Sequence, residues 1–253
     1  MIEDPLFYLV AVPALMIMGI SKGGFGGGLG VAAVPLLSLT ISPVQAAAIL
    51  LPILIFMDLI GLWTFRGKWD KATAKIIICG AIVGIAIGTA SFKYLDEHTI
   101  KLLISMVALG FSGNYWLKQR NGAHPAKAPS VVRGGFWSVI AGFTSFAAHS
   151  GGAPLNVYLL PLKLDKTVFQ ATTVIFFTII NYVKLVPYTW LGQFSSENLM
   201  TSLVILPLAL VGIVSGIWLH TRIPEKLFYN LCYSFLFLTG LKLLYDGVSG
   251  MLS

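Results

Sequence analysis

The clearest chemical signal in this sequence is a glycine-rich stretch, Gly19–Gly30, that carries one serine and one lysine inside an apolar run. Glycine disfavours a continuous helix. A helix that restarts after such a break directs free N–H groups and a partial positive charge at its start, which suits an anion. In such a site Lys22 supplies a full positive charge and Ser21 a hydroxyl donor. The glycines assigned to this site are Gly23, Gly24, Gly26, Gly27 and Gly28.

Close helix packing is the alternative explanation of the same glycines. Gly23 and Gly27, like Gly24 and Gly28, are four residues apart, which is the small-xxx-small spacing of tightly packed membrane helices. Packing alone seldom requires adjacent glycines beside a lysine. The pattern therefore favours an anion site and leaves packing open.

A second stretch, 145–156, repeats these features with a histidine in place of the lysine. Pro154 fits an early helical position, so the residues before it form an exposed helix start. His149 donates to an anion or shuttles a proton in one interpretation, and is a neutral, satisfied core imidazole in the other. The candidate binding residues here are His149, Ser150, Gly151 and Gly152.

Two further ionisable residues, Asp58 and Lys184, lie deep in apolar segments. Charges inside a bilayer are costly enough to suggest function. The two residues pair with each other in one hypothesis, and Asp58 carries a coupled proton in another. Lys184 reaching out to the membrane surface is the alternative for the lysine.

Three polar amides, Gln45, Gln170 and Asn181, lie in the apolar segments that follow the two glycine-rich stretches. They are assigned to substrate binding, and hydrogen bonding between helices explains them equally well.

The elements that must position these residues are membrane-spanning helices. The chain has 253 residues, of which 57% are hydrophobic and 11% charged, whereas a soluble domain has about 25% charged residues. Uncharged runs such as 23–57 and 198–219 exceed the roughly 18 residues that indicate a span. The sequence predicts an all-α polytopic membrane protein. Its net charge of +7 gathers in loops, so it indicates membrane topology and not a nucleic-acid partner.

The chain also contains an internal duplication. Gly19 and Gly28 match Gly142 and Gly151 at a shift of 123, and Gln45 matches Gln170 at a shift of 125. The predicted division is a first membrane repeat, 1–117, a cytoplasmic linker, 118–133, and a second membrane repeat, 134–253. Each repeat is predicted to be a glycine-broken, re-entrant-like hairpin followed by three transmembrane helices.

Basic loops set the predicted orientation. Segments 66–75 and 118–133 are basic and are expected to be cytoplasmic. The two halves then run in opposite directions, with both termini outside the cell. This arrangement is an inverted-topology repeat, which is frequent among secondary transporters.

Enzymatic chemistry is not indicated. The histidines outside the two tips, His98, His124 and His220, lack metal-ligand spacing to cysteine or carboxylate. The glycine stretch lacks the phosphate-loop pattern, and the two cysteines, Cys79 and Cys232, are isolated in apolar segments. We expect no catalytic residue, no metal and no cofactor.

At the two tips the sequence resembles the sulfite exporter TauE/SafE family of bacterial membrane proteins. The matching motifs are Gly19–Gly30 with Val-Pro-Leu-Leu at 34–37, and residues 142–146 with His-Ser-Gly-Gly-Ala-Pro at 149–154 and Tyr-Leu-Leu-Pro at 158–161. The resemblance extends over essentially the whole chain. One departure is Ala153, where the related pattern often has a second proline.

The resemblance implies a multi-pass transporter of the cytoplasmic membrane for small sulfur-containing anions, such as sulfite, sulfoacetate or other organosulfonates. We expect a secondary transporter that works by alternating access, with proton coupling through Asp58 or His149 left open. The rival hypothesis is a non-transporting membrane scaffold or assembly protein. The expected partners are a small anionic substrate and the lipid bilayer, with a homodimer left open and no nucleic acid.

Overall fold

The computed structural model describes residues 2–91, scattered residues between 102 and 117, and residues 126–252. Within those residues, seven helices are long and apolar enough to cross a membrane. The prediction of an all-α polytopic membrane protein is confirmed. The predicted linker lies partly outside the described residues, at 118–125.

Proline and short polar caps fix the helix starts of the first half. Asp4 accepts a hydrogen bond from the Leu6 N–H, and Ser42 accepts one from the Gln45 N–H, as N-cap residues do. The elements are α1 (Pro5–Gly24), a 3-10 helix (Gly28–Ala32), α2 (Ala33–Leu37), α3 (Pro43–Phe65) and α4 (Lys71–Ser91).

The second half also begins with a broken hairpin, but its short α-helix precedes its 3-10 helix, whereas in the first half the 3-10 helix comes first. Three of its long helices begin with a side-chain N-cap, which is supplied by Ser130, Asp165 and Ser195 in turn. The elements are α5 (Val131–Ala148), α6 (Gly152–Leu159), a 3-10 helix (Leu160–Leu162), α7 (Lys166–Trp190), α8 (Ser196–Arg222) and α9 (Glu225–Leu252).

Both hairpins are broken where the sequence predicted. The first breaks at Gly26 and Gly27, whose φ angles of 64° and 70° are left-handed and cost glycine little. The second breaks at His149, which adopts a φ of 52°. The sequence predicted a half-helix after each break, but the first re-entrant arm is a 3-10 helix with a single α-helical turn. The extra glycines there, Gly28 and Gly30, weaken the helix.

The two halves pack in matched pairs. Helix α1 packs along α8, and α4 packs along α5; in each pair the first helix of one half meets the third long helix of the other. Helices α3 and α7, which occupy equivalent places in their halves, pack against each other. These contacts are those expected of two halves related by an internal two-fold. The inverted orientation and the domain limits stay predictions.

Glycines of α4 and α8 allow these two pairs to approach closely. A Cβ added at Gly84 would lie 2.0 Å from the carbonyl oxygen of Val139, and one at Gly216 would lie 2.4 Å from that of Ile20. Neither backbone can yield without separating the helices. Each crossing fixes the helix that carries one tip against a helix of the other half.

We expect Gly84→Ala to lower the thermal unfolding midpoint in detergent, because the added methyl group meets the α5 backbone. Overpacking of this kind costs about 1–3 kcal/mol. Gly135→Ala is the matched control, since a Cβ at Gly135 meets no atom within 4 Å. Equal midpoints for the two variants would contradict the assigned crossing.

Candidate functional site

A buried ion pair joins the first tip to α3. Lys22, near the end of α1, places its Nζ 2.8 Å from Oδ1 of Asp58. The other carboxylate oxygen, Oδ2, accepts a hydrogen bond of 2.6 Å from Nδ2 of Asn181 on α7. The exposed fraction is 7% for the Lys22 side chain and 0% for Asp58. Three helices therefore converge on one carboxylate.

A second buried cation lies at the other tip. Lys184 of α7 donates from Nζ to the carbonyl oxygen and to Oγ of Ser145, both at 3.1 Å, and lies 2.8 Å from Nδ1 of His149. Nε2 of His149 lies 2.9 Å from the carbonyl oxygen of Ala47. A carbonyl can only accept, so Nε2 carries the ring proton and Nδ1 accepts from the ammonium. These partners assign His149 as a neutral imidazole.

The two groups do not cancel in charge. Lys22, Lys184 and Asp58 carry formal charges of +1, +1 and −1, and the His149 tautomer is neutral. Among the described residues Lys184 has no carboxylate within 4.0 Å, in contrast to Lys22. The buried cluster therefore carries a formal charge of +1. A buried charge without a partner of opposite charge is costly. Binding of an anion beside the cluster would therefore stabilise it.

A cavity of about 30 Å³ lies between the two tips. That volume exceeds the roughly 10–15 Å³ that one water requires, and a larger solute enters only if the walls move. The Lys22 ammonium lies 5.3 Å from the centre of the Phe177 ring. The cavity is lined by Met18, Lys22, Gly27, Gly30, Leu54, Ser145, His149, Phe177 and Asn181.

The tips themselves touch. A Cβ at Gly152 would lie 2.5 Å from the carbonyl oxygen of Gly27, and one at Gly28 would lie 3.1 Å from Nδ2 of Asn156. Asn156 is fully buried, and neither of its amide atoms has a hydrogen-bond partner among the described residues. Of the predicted glycines, Gly27 lines the cavity, while Gly28 and Gly152 form the contact between the tips.

Gln170 holds the backbone of the first tip. Its Nε2 donates to the carbonyl oxygen of Lys22 at 2.6 Å, and its Oε1 accepts from the N–H of Gly26 at 2.8 Å. This side chain thus satisfies both a carbonyl and an amide that the glycine break leaves outside helical hydrogen bonding. It fixes the backbone that carries Lys22.

Several predicted site residues have structural contacts instead. Gln45 donates from Nε2 to Oδ1 of Asn198 at 3.2 Å, which is a hydrogen bond between helices, the alternative to substrate binding. Gln45 does not line the cavity. Gly23 and Gly24 face the α8 backbone, where an added Cβ would lie 2.4 Å from Ile213 O and 2.6 Å from Gly216 O. Packing therefore accounts for both glycines.

The remaining predicted residues support the tips. The carbonyl oxygen of buried Ser21 accepts from the N–H groups of Phe25 and Gly27. Ser150 donates from Oγ to the carbonyl oxygen of Ala148 at 3.1 Å. A Cβ at Gly151 would lie 2.5 Å from an α5 carbonyl oxygen.

Sequence reasoning missed the partner of each buried cation. It considered Asp58 with Lys184, but Asp58 pairs with Lys22, and Lys184 lies inward and fully buried. Phe177 was not anticipated, because one aromatic residue in an apolar helix gives no signal. No group of three or more His, Cys, Asp or Glu residues in the described part of the chain is arranged to hold a metal ion.

Comparison with known proteins gives one match. The profile of the sulfite exporter TauE/SafE family matches residues 11–243, which include both tips and every residue of the buried cluster. No curated protein and no solved structure matched the chain.

We expect Gln170→Ala to destabilise the protein more than Gln45→Ala, its counterpart in the other half. The first change leaves the Gly26 N–H and the Lys22 carbonyl unpaired in a buried site, at about 1–3 kcal/mol for each group. The second removes one half-buried bond, at about 1 kcal/mol. Thermal unfolding in detergent measures the difference. Equal losses of stability would refute the role assigned to Gln170.

Proposed function

Because the chain belongs to the sulfite exporter TauE/SafE family, we propose that it is a secondary transporter that moves a small sulfur-containing anion across the bacterial cytoplasmic membrane. The chain is a multi-pass membrane protein with seven candidate spans in its described part. Sulfite and organosulfonates such as sulfoacetate are the proposed substrates. The observation that carries the proposal is the buried formal charge of +1 beside the cavity between the tips.

The anion binds, in this proposal, between Lys22 and the His149 side of the cavity. Lys22 and Asn181 already line the cavity, and the anion attracts the Lys22 ammonium away from Asp58. Lys184 lies behind Ser145 and His149, which line the cavity, and supplies the positive charge that no described carboxylate balances. The first amides of α6, from Gly152 onward, add partial positive charge near the contact between the tips.

Alternating access follows from the matched packing. The anion enters only when the cavity of about 30 Å³ enlarges, which requires the two tips to separate on one side. The α1–α8 pair carries the first tip, and the α4–α5 pair carries the second. We assign these two pairs as the bodies that move relative to each other.

Proton coupling has two candidate carriers, and each is tied to a lysine. A proton on Nδ1 of His149 displaces its hydrogen bond with Lys184, and a proton on Asp58 weakens its attraction for Lys22. Either event releases an ammonium group toward the cavity. Protonation and anion binding are therefore mutually favourable in this scheme.

Location and assembly complete the proposal. The basic loops predict that both termini lie on the outer side of the cytoplasmic membrane, and the homodimer stays a prediction. The rival function is a non-transporting membrane scaffold, in which the glycines serve only packing. The net positive charge beside a cavity favours transport, because a scaffold gains nothing from burying it.

A flux assay in proteoliposomes separates the two functions. Sulfite, thiosulfate, sulfoacetate and taurine are each tested with and without a pH gradient, and acetate serves as the unsulfonated control. We expect saturable flux of at least one sulfur-containing anion and none of acetate. Absence of flux and of anion-dependent thermal stabilisation for every compound would favour the scaffold.

We expect Lys184→Met to reduce flux of the transported anion at least about tenfold, since removing one partner of a buried charged contact costs 1.4 kcal/mol or more. Lys184→Arg retains the charge and should recover part of the flux. Lys71→Met, at the exposed start of α4, is the matched control and should behave like the parent. Parental flux in a folded Lys184→Met protein would refute the charge assignment.

A further inference from the structure

A second cavity, of about 340 Å³, lies apart from the site between the tips and shares no lining residue with it. It is formed by the start of α5, the end of the second hairpin and part of the 102–117 segment. Two lining residues, Lys127 and Arg133, are basic, and the others are apolar apart from the Tyr158 hydroxyl. The apolar and glycine lining comprises Met106, Gly110, Trp137, Val157, Pro161 and Leu162.

The exposed side chains of α5 indicate the level in the membrane at which this cavity lies. Val131, Val132 and Phe136 are 71%, 82% and 60% exposed, and such apolar surface in a membrane protein faces lipid. Arg133 lies within the same turn and is also exposed. Trp137, one turn further along, is of the residue type enriched at the membrane–water interface. This pattern is the one expected where lipid headgroups meet acyl chains, and we infer that the mouth of the cavity lies there.

The two cations at the mouth have no acidic partner. Among the described residues, no carboxylate lies within 4.0 Å of the Lys127 ammonium or the Arg133 guanidinium. The backbone of Lys127 is fixed, since its main-chain N–H donates to the carbonyl oxygen of Pro161 at 2.9 Å. Nη2 of Arg133 donates to the carbonyl oxygen of Ala128 at 3.3 Å. Both basic residues line an otherwise largely apolar cavity.

We propose that this cavity binds an anionic glycerophospholipid, whose phosphate lies between Lys127 and Arg133 and one of whose acyl chains enters the apolar interior. The charge of the mouth selects an anionic headgroup, and basic pockets between membrane helices commonly bind such lipids. The apolar interior requires a chain, which a free phosphate lacks. The Tyr158 hydroxyl accepts the Ser130 N–H at 3.3 Å and lies beside both parts of the lipid.

The test measures thermal stability of the full chain, purified in a detergent that removes lipid. The protein is titrated with phosphatidylglycerol, with phosphatidylcholine of identical acyl chains, and with glycerol 3-phosphate. We expect phosphatidylglycerol to raise the unfolding midpoint at concentrations at least about tenfold below those of phosphatidylcholine, the ratio that 1.4 kcal/mol of charge selectivity gives. Glycerol 3-phosphate should have no effect. Equal effects of the two lipids, or an equal effect of glycerol 3-phosphate, would overturn the proposal.

Two variants distinguish the contribution of the lipid headgroup to binding from that of the acyl chain. Lys127→Gln combined with Arg133→Gln should remove the preference for phosphatidylglycerol. Gly110→Leu should weaken the binding of both lipids. A Cβ at Gly110 meets open space, so the leucine side chain can occupy the cavity. The matched control is Arg66→Gln combined with Arg222→Gln, two exposed cations that stack on Trp63 and Trp218. A full preference for phosphatidylglycerol in the double glutamine variant of the mouth would refute the site.

Discussion

One carboxylate buried with two ammonium groups is the constraint on which the interior of this protein depends. Asp58 compensates Lys22 directly, whereas the hydrogen-bond acceptors of Lys184 in the described part of the chain are neutral groups of Ser145 and His149. Charges held inside a bilayer require partners. The α5 and α7 helices hold the hydrogen-bond acceptors of Lys184 in place. In the proposed function, this positive charge gives the interior its affinity for anions.

The helix crossings at glycine residues and the two hairpin tips position these buried charges. Close approach of α1 to α8 and of α4 to α5 fixes the two helices that carry the chain breaks, and Gly27 contacts Gly152 where the tips meet. The breaks bring Lys22 and His149 to one cavity, and Gln170 restores the hydrogen bonds that the first break removes. Packing and binding were rival explanations of the glycines. The structure shows close packing at Gly23 and Gly24 and places Gly27 at the cavity, where anion binding stays a prediction.

The sequence was sufficient for the features that composition and local propensity determine. Long apolar runs predicted the spans, and clustered glycines predicted both breaks. The partner of each buried charge could not be predicted from the sequence. Whether Asp58 pairs with Lys22 or with Lys184 depends on which helix faces meet. Gln45 and Gln170 align in the duplication, yet only Gln170 reaches a tip, while Gln45 bonds to Asn198. The first re-entrant arm was predicted as a half-helix, but its glycines permit only a 3-10 helix and one α-helical turn.

The most direct test of a positively charged anion site is to locate a bound anion. Selenite has the pyramidal shape of sulfite, and selenium can be located in crystals by anomalous scattering. We expect a selenium peak in the cavity lined by Lys22, His149 and Asn181. Selenium found only at the basic loops, with that cavity empty in crystals saturated with selenite, would refute the proposed site.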